Sequence, residues 1–502
     1  MKEQTLGNKI GFFAGPLLFI LILLMPQPEG MSPEALKVAA VTVLMAVWWI
    51  TEAIPIPATS LLPIALFPML GVMKAGHATA PYANKLIYLF MGGFFIAVTM
   101  ERWNLHKRVA IHTINFVGTS PARMILGFMA ATALLSMWVS NTATTMLMVP
   151  IGLAVIQQST GMSSSELKAS GNIDDPRYNF GKALMLGIAY SASIGGVATI
   201  IGTPPNTVMV GMVEKLYGMQ ISFAEWMLFG VPLSLIMLAF TWFILVKVLY
   251  RLPENLSGGA ELIKEEMIKL GKITKQERSI LIVFVIVAAC WILRGFVKKS
   301  IPEIKMIHDA TIGIAGALAL FIIPSDFKKG EFLLDWKTAV KIPWDVILLF
   351  GGGLAIANGF AKTGLAHWIA GQLTLVHGAS LLVFIFAVVL ITIFMTEITS
   401  NTATATLLVP IMGSAALAMH VHPYGPIIGA CVAASFAFML PVATPPNAVV
   451  FGSGCVSIPQ MARAGIWLNA FGAIVITIFT VYVLPVVWGV DLTQVPSWAL
   501  VQ

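Results

Sequence analysis

Apolar residues run along this chain in stretches of about twenty, divided by short polar segments, a spacing that predicts membrane-crossing helices. Eleven stretches have this character: 10–25, 35–52, 56–73, 85–101, 181–213, 226–249, 278–297, 309–324, 345–362, 425–453 and 465–488. Two more, 122–158 and 380–419, are too long for one crossing and too short for two full crossings with a loop. Each is interrupted near its middle by Ser-Asn-Thr. A re-entrant hairpin fits them: the chain descends part-way, turns, and returns to the same side. Non-helical backbone at that depth is tolerated only against protein or a watery cavity. The expected fold class is therefore an all-α polytopic membrane protein, with about eleven transmembrane helices plus two re-entrant hairpins.

Composition agrees with that pattern. Of 502 residues, 58% are hydrophobic and only 11% charged, against about 25% charged in soluble domains. The formal charge of +7 sits in short runs between apolar stretches, which points to cytoplasmic loops rather than to nucleic-acid binding. The first apolar run follows MKEQTLGNK and ends at Pro26, Pro28 and Glu29 without a small-x-small cleavage site, so it is expected to stay as a first membrane helix. Cys290, Cys431 and Cys455 are expected to be inert packing residues, and the scattered histidines indicate no metal cluster. Orientation follows from the basic residues. With the N-terminus inside, the cytoplasmic side receives Arg102, Lys107, Arg108, the 250–277 segment, Lys328, Lys329, Lys337 and Lys341. Lys298, Lys299 and Lys305 then lie outside as an exception. Within 250–277 an amphipathic helix is expected from Gly259 to Leu270.

The chain holds two copies of one unit. SNTATTMLMVPI at 140–151 and SNTATATLLVPI at 400–411 agree at nine of twelve positions. Upstream, Gly92-Gly93 pairs with Gly352-Gly353; downstream, Thr-Pro-Pro-Asn at 203–206 pairs with 444–447. Five crossings separate the two hairpins, and an odd number makes the copies inverted. Inverted repeats with broken helices at mid-membrane belong to secondary transporters.

These motifs carry chemistry suited to ions. A hairpin tip exposes carbonyls at one half-helix end, which suit a cation, and N–H groups at the other, which suit an anion. Ser140, Ser400, Asn141 and Asn401 add hydroxyl and amide oxygens of the kind hard cations take. The plainer alternative is a helix cap, a role common for Ser and Asn. Paired prolines break the helices carrying Thr203 and Thr444, with a packing kink as the alternative. No Arg or Lys falls within these motifs, so a bound cation would supply the positive charge an anion needs, and the two would bind cooperatively. Glu397, three residues before Ser400, stands where a carboxylate is costly. It can join a polar network, take a proton or act as a ligand, and the first copy has Trp138 in that region instead. Glu52 reads as an interfacial anchor. No Gly-rich nucleotide loop, nucleophile elbow or paired acid suggests an enzyme.

The doubled SNT, the TPPN breaks and the WWITEAIPIPATSLLP stretch resemble the divalent anion:sodium symporter family, the INDY-like or SLC13-type carriers, over almost the whole chain. The resemblance implies a homodimeric elevator carrier of the bacterial inner membrane, with scaffold and transport domains and sodium as coupling ion. It implies a first sodium site at Ser136, Ser140, Asn141 and Gly202, and a second at Thr396, Ser400, Asn401 and Ala443, with Gly202 and Ala443 offering main-chain oxygens. Substrate carboxylates would meet Asn141, Thr142, Asn401 and Thr402, with Thr203, Pro204, Thr444 and Pro445 shaping the pocket. Some relatives have Ser at the place of Thr203. The chain then divides into scaffold helices at 1–84, a first repeat at 85–249, a cytoplasmic linker at 250–277, further scaffold helices at 278–344, a second repeat at 345–488 and a periplasmic tail at 489–502. The expected substrates are C4-dicarboxylates such as succinate, malate or fumarate. A sodium-independent di- or tricarboxylate exchanger, or a citrate or sulfate carrier, is the alternative on the same fold.

Overall fold

The structure is a computed structural model that describes residues 6–118, 120–161, 176–254, 258–297, 306–372 and 380–500. The described residues are helical apart from turns and one small antiparallel ribbon, where Pro324 lies opposite Phe332. Among the described residues nine helices are long and apolar enough to cross a bilayer: Leu6–Leu24, Pro33–Thr51, Ala75–Arg102, Pro176–Val197, Phe223–Leu249, Lys275–Val297, Trp344–Thr363, Asn401–Ala418 and Ile458–Trp488.

Two expected crossings take other forms. Over 56–73, Pro57 and Pro63 each stand in the first turn of a new helix, so the stretch divides into Ile56–Thr59 and Leu62–Met69. The 309–324 stretch gives a helix of 14 residues, Asp309–Ile322, because Pro324 opens the ribbon. That helix is about 21 Å long, short of a hydrocarbon core of about 30 Å. The two stretches expected to be broken at their prolines are broken: 181–213 into Pro176–Val197 and Pro204–Tyr217, and 425–453 into Tyr424–Ala433 and Pro445–Gly452, the latter pair on either side of a long non-helical segment. Likewise 122–158 forms the expected pair of arms, Pro121–Ser136 and Asn141–Thr160, and 380–419 forms Leu381–Thr396 and Asn401–Ala418.

The two copies share local geometry beyond their motifs. Gly92 and Gly352 each let backbone approach backbone: an added Cβ would lie 2.5 Å from the Gly313 carbonyl carbon and 2.5 Å from the Ser60 carbonyl oxygen. The helix that follows each TPPN helix opens on a serine: Ser222 forms a full capping box with Glu225, while at Ser457 only the Gln460 half is made, its side chain accepting from Ser457 N at 3.0 Å. Each of these helices then passes into a π-helical stretch, Ile244–Leu249 and Phe479–Val483.

The linker helix stands at Gly259–Leu270, as its pattern predicts. Lys107 pairs with Glu266 at 2.9 Å, Arg108 with Glu277 at 2.8 Å and Arg102 with Asp335 at 2.8 Å. Three segments that the basic-residue count assigns to one side therefore meet there. Hydrogen bonds from Lys269 and Lys107 hold the Glu266 carboxyl below its ordinary range. Lys298, Lys299 and Lys305 lie outside the described residues. An unanticipated helix, Leu105–Val117, packs on the first hairpin and on the linker helix. His106, Lys107, Arg108 and His112 make it too polar for a hydropathy window to register. Glu52 acts through its backbone: it ends the second helix with φ at 45°, and its carbonyl accepts from the Asn8 amide at 3.0 Å.

Candidate functional site

Both hairpin tips are built from one rule. The first arm ends, four residues turn, and the second arm starts at the Asn of Ser-Asn-Thr. In the first copy Ser140 caps the second arm, its hydroxyl accepting from Ala143 N at 3.2 Å. Ser400 makes no such side-chain cap bond. The cap alternative therefore describes Ser140 and not Ser400.

The first tip gathers oxygens. Ser136 Oγ donates to Asn141 Oδ1 at 2.5 Å and to the Ala192 carbonyl at 2.7 Å. With its oxygen so placed, the Asn141 amide faces the Gly202 carbonyl at 3.2 Å and the Ala192 carbonyl at 3.1 Å, oxygen against oxygen. Two things relieve that arrangement: a cation among the oxygens, or the amide turned over so that its N–H donates to them. Hydroxyl, amide and main-chain carbonyl oxygens form the ligand set of a hard cation, and sodium fits it. Gly196 makes the approach possible, since a Cβ there would lie 2.6 Å from Asn141 Oδ1 and 3.0 Å from the Gly202 oxygen.

The second tip repeats the pattern with one methyl more. Thr396 Oγ1 donates to Asn401 Oδ1 at 2.6 Å and to the Ala434 carbonyl at 2.9 Å. Ala443 is buried in the same non-helical segment, next to Thr444. The structure thus brings together Ser136, Asn141 and Gly202 in one cluster, and Thr396 with Asn401 in the other.

The broken helices are held open by the Asn of each TPPN. Prolines at the first turn begin the helices Pro204–Tyr217 and Pro445–Gly452. They leave the preceding carbonyls without helical donors. The Asn206 amide donates to the Val197 and Thr199 carbonyls at 3.2 and 2.8 Å, and Asn447 to the Ala437 and Leu440 carbonyls at 3.1 and 3.0 Å. These two asparagines were in the motif but not among the expected site residues. Thr199 is a second unanticipated residue: its hydroxyl donates to the Met137 carbonyl at 2.6 Å and accepts from Gly202 N at 3.0 Å, tying tip to break. A lone threonine in an apolar run gave no signal.

Thr203 and Thr444 are buried N-caps of the two helices, and only Thr444 accepts a cap bond, from Asn447 N at 3.2 Å. Thr142 is half-buried and Thr402 buried in the first turns of the hairpin helices. The N–H groups of such first turns have no intrahelical partner and favour an anion. Pro204 lines an apolar crevice with Ile87, Phe90 and Val346 rather than a polar pocket. Pro445 is exposed at the start of its helix.

The two copies pack crosswise. The Pro445–Gly452 helix lies on Asn141–Thr160 of the first hairpin, and Pro204–Tyr217 lies on Asn401–Ala418 of the second. The buried Cys431 thiol donates to the Pro205 carbonyl at 3.3 Å, and Tyr190 OH donates to the Met461 carbonyl at 3.1 Å. Each broken helix is therefore seated against the other copy's hairpin.

Comparison with known proteins adds to this geometry. The model of the family described as the sodium:sulfate symporter transmembrane region matches residues 9–490. The chain is 44% identical over 495 residues to the sodium-dependent dicarboxylate transporter SdcS of Staphylococcus saprophyticus, covering 98% of this chain and 94% of that protein. It is 43% identical, with the same coverage, to SdcS of Staphylococcus aureus strain USA300. Among solved structures, Neisseria gonorrhoeae MtrF, described with a class of antimetabolite efflux pumps, superposes with a TM-score of 0.57 at 12% identity, covering 96% of each chain. The Alcanivorax borkumensis YdaH transporter also gives 0.57 at 12% identity, covering 88% of this chain and 98% of its own. At that identity these two structures bear on the fold alone.

Proposed function

The chain belongs to the family of the sodium:sulfate symporter transmembrane region, and from that premise we propose that it imports C4-dicarboxylates such as succinate, malate or fumarate, coupled to sodium. The observation that carries this reading is the duplicated oxygen cluster, Ser136 with Asn141 and Thr396 with Asn401, at two hairpin tips. The relatives that match along almost the full chain bear the name sodium-dependent dicarboxylate transporter, which supports both the ion and the substrate class. They are transporters and not enzymes.

In this reading Ser136, Ser140, Asn141 and Gly202 hold one sodium ion, and Thr396, Ser400, Asn401 and Ala443 a second. The substrate carboxylates meet Asn141, Thr142, Asn401 and Thr402, beside Thr203, Pro204, Thr444 and Pro445. No Arg or Lys lies within the motifs, so sodium supplies the charge that makes the dianion welcome, and each tightens the other by linkage. Counting the short Asp309–Ile322 helix as a crossing keeps five between the hairpins, so in this reading the two copies are inverted, and the hairpins with their broken helices move as one body past scaffold helices, carrying the site across the membrane. The protein is a homodimer in the bacterial inner membrane, N-terminus cytoplasmic and C-terminus periplasmic. The orientation rests on the meeting of Arg102, Lys107 and Arg108 with the linker and the Asp335 loop.

Purified protein in proteoliposomes tests this. Labelled succinate should accumulate when sodium is high outside and fail to accumulate when choline replaces it. Uptake that ignores sodium but requires internal dicarboxylate would mean an exchanger instead. The family description names sulfate, so excess sulfate and excess citrate belong in the competition series; sulfate displacing succinate at equal concentration would reassign the substrate.

A further inference from the structure

Glu397 closes the first arm of the second hairpin, and its side chain is buried. Its carboxylate accepts four N–H groups. Oε1 accepts from Phe438 N at 2.8 Å, Met439 N at 2.9 Å and the Asn469 amide at 2.7 Å. Oε2 accepts from Met439 N and Leu440 N, each at 3.1 Å. Every partner is a donor, which is the environment of an ionised carboxylate rather than of a neutral acid. Among the described residues no Lys or Arg pairs with it.

The three main-chain donors come from one place, the non-helical segment between Ala433 and Pro445. Carbonyls of the same segment turn elsewhere. Ala434 O accepts from Thr396, a cation-cluster residue, and Ala437 O and Leu440 O accept from Asn447. A nest of successive N–H groups facing one way leaves the carbonyls facing the other. The first copy has no counterpart to this device. There the helix stays wound to Val197, and Met137, which rather than the neighbouring Trp138 stands at the place of Glu397, offers its carbonyl to Thr199. Repeat two is thus unwound five residues further toward its hairpin, and the unwound stretch is the one the carboxylate holds.

We propose that Glu397 is a positioning residue for the second cation cluster: by gathering the N–H groups of Phe438, Met439 and Leu440, its carboxylate holds the unwound segment 434–444 with the Ala434 carbonyl on Thr396. This rests on the sodium-coupled reading above and adds to it the residue that holds the second cluster together.

The test is the sodium activation curve for succinate uptake in proteoliposomes, together with sodium-dependent thermal stabilisation of the purified protein without succinate. Wild type must first respond to sodium; if it does not, the parent reading fails before this one is reached. In Glu397→Gln the sodium concentration for half-maximal uptake should rise at least about tenfold, the factor one charge-assisted hydrogen bond is worth. The KM for succinate at saturating sodium should stay within about twofold, as expected of a residue that acts on the ion. Asn469→Leu removes one donor but keeps the charge, and should leave sodium activation within about twofold. Wild-type sodium dependence in Glu397→Gln overturns the proposal, as does a shift in Asn469→Leu as large as that in Glu397→Gln. If Glu397→Gln does not fold, Glu397→Asp serves: it keeps the charge but is one methylene too short to span the three N–H groups. It should weaken sodium activation several-fold, and unchanged activation there overturns the positioning role.

Discussion

Asn141 joins its own helix to the opposite break. Its amide reaches Ser136, the Ala192 carbonyl and the Gly202 carbonyl at once, so shortening the side chain removes one ligand and unties two others. Asn141→Ala and Asn401→Ala should each nearly abolish uptake while the protein still purifies as a single folded species on a sizing column. Normal uptake and sodium dependence in either would refute the site assignment. Gly196→Ala is a subtler probe, because the new methyl would lie 2.6 Å from Asn141 Oδ1. It should raise the sodium requirement at least about tenfold by displacing one ligand of the cluster, read from sodium activation of uptake. The SNT residues were legible in the sequence because they occur twice. Thr199 and Asn469 were not, since each is a single polar residue whose partner sits 62 or 72 positions away.

Among the elements, the long crossings were legible because lipid demands an unbroken apolar run. The doubled prolines announced the breaks for a similar reason: they remove donors wherever they stand. What the pattern could not convey was length. Leu62–Met69 and Asp309–Ile322 are cut short by local prolines, and Leu105–Val117 is helical despite its polar face. Elements at the membrane edge are joined by charges instead. Arg294 donates to Asp309 Oδ1 at 2.7 Å, with side chains 8% and 5% exposed. Asp309→Asn leaves that guanidinium buried without its counter-ion, and should cost about 3 kcal/mol, visible as a lower unfolding temperature in detergent. The linker helix answers to pH. Because hydrogen bonds from Lys269 and Lys107 lower the Glu266 carboxyl below its ordinary 4.5, the ion pairs stabilise the docked helix above that pH. They are lost as pH falls through the lowered value. Hydrogen exchange across 259–270, corrected for intrinsic rate, should quicken on acidification below about pH 4.5 and stay flat above it.

At the scale of the whole molecule, crosswise packing is the feature that joins the two copies. Each broken helix rests on the other copy's hairpin, so the two proposed ion clusters depend on both halves being folded. That arrangement also gives the proposed elevator movement a rigid body to move. Helix Pro204–Tyr217 faces Trp344–Thr363 across the crevice where Val208 and Ile347 both lie. The most direct measurement of the account is a double-label flux, with radioactive sodium and radioactive succinate followed together into the same proteoliposomes. Sodium should enter in fixed proportion to succinate, and both fluxes should vanish together in Asn141→Ala and in Asn401→Ala. Succinate entering without sodium would contradict it.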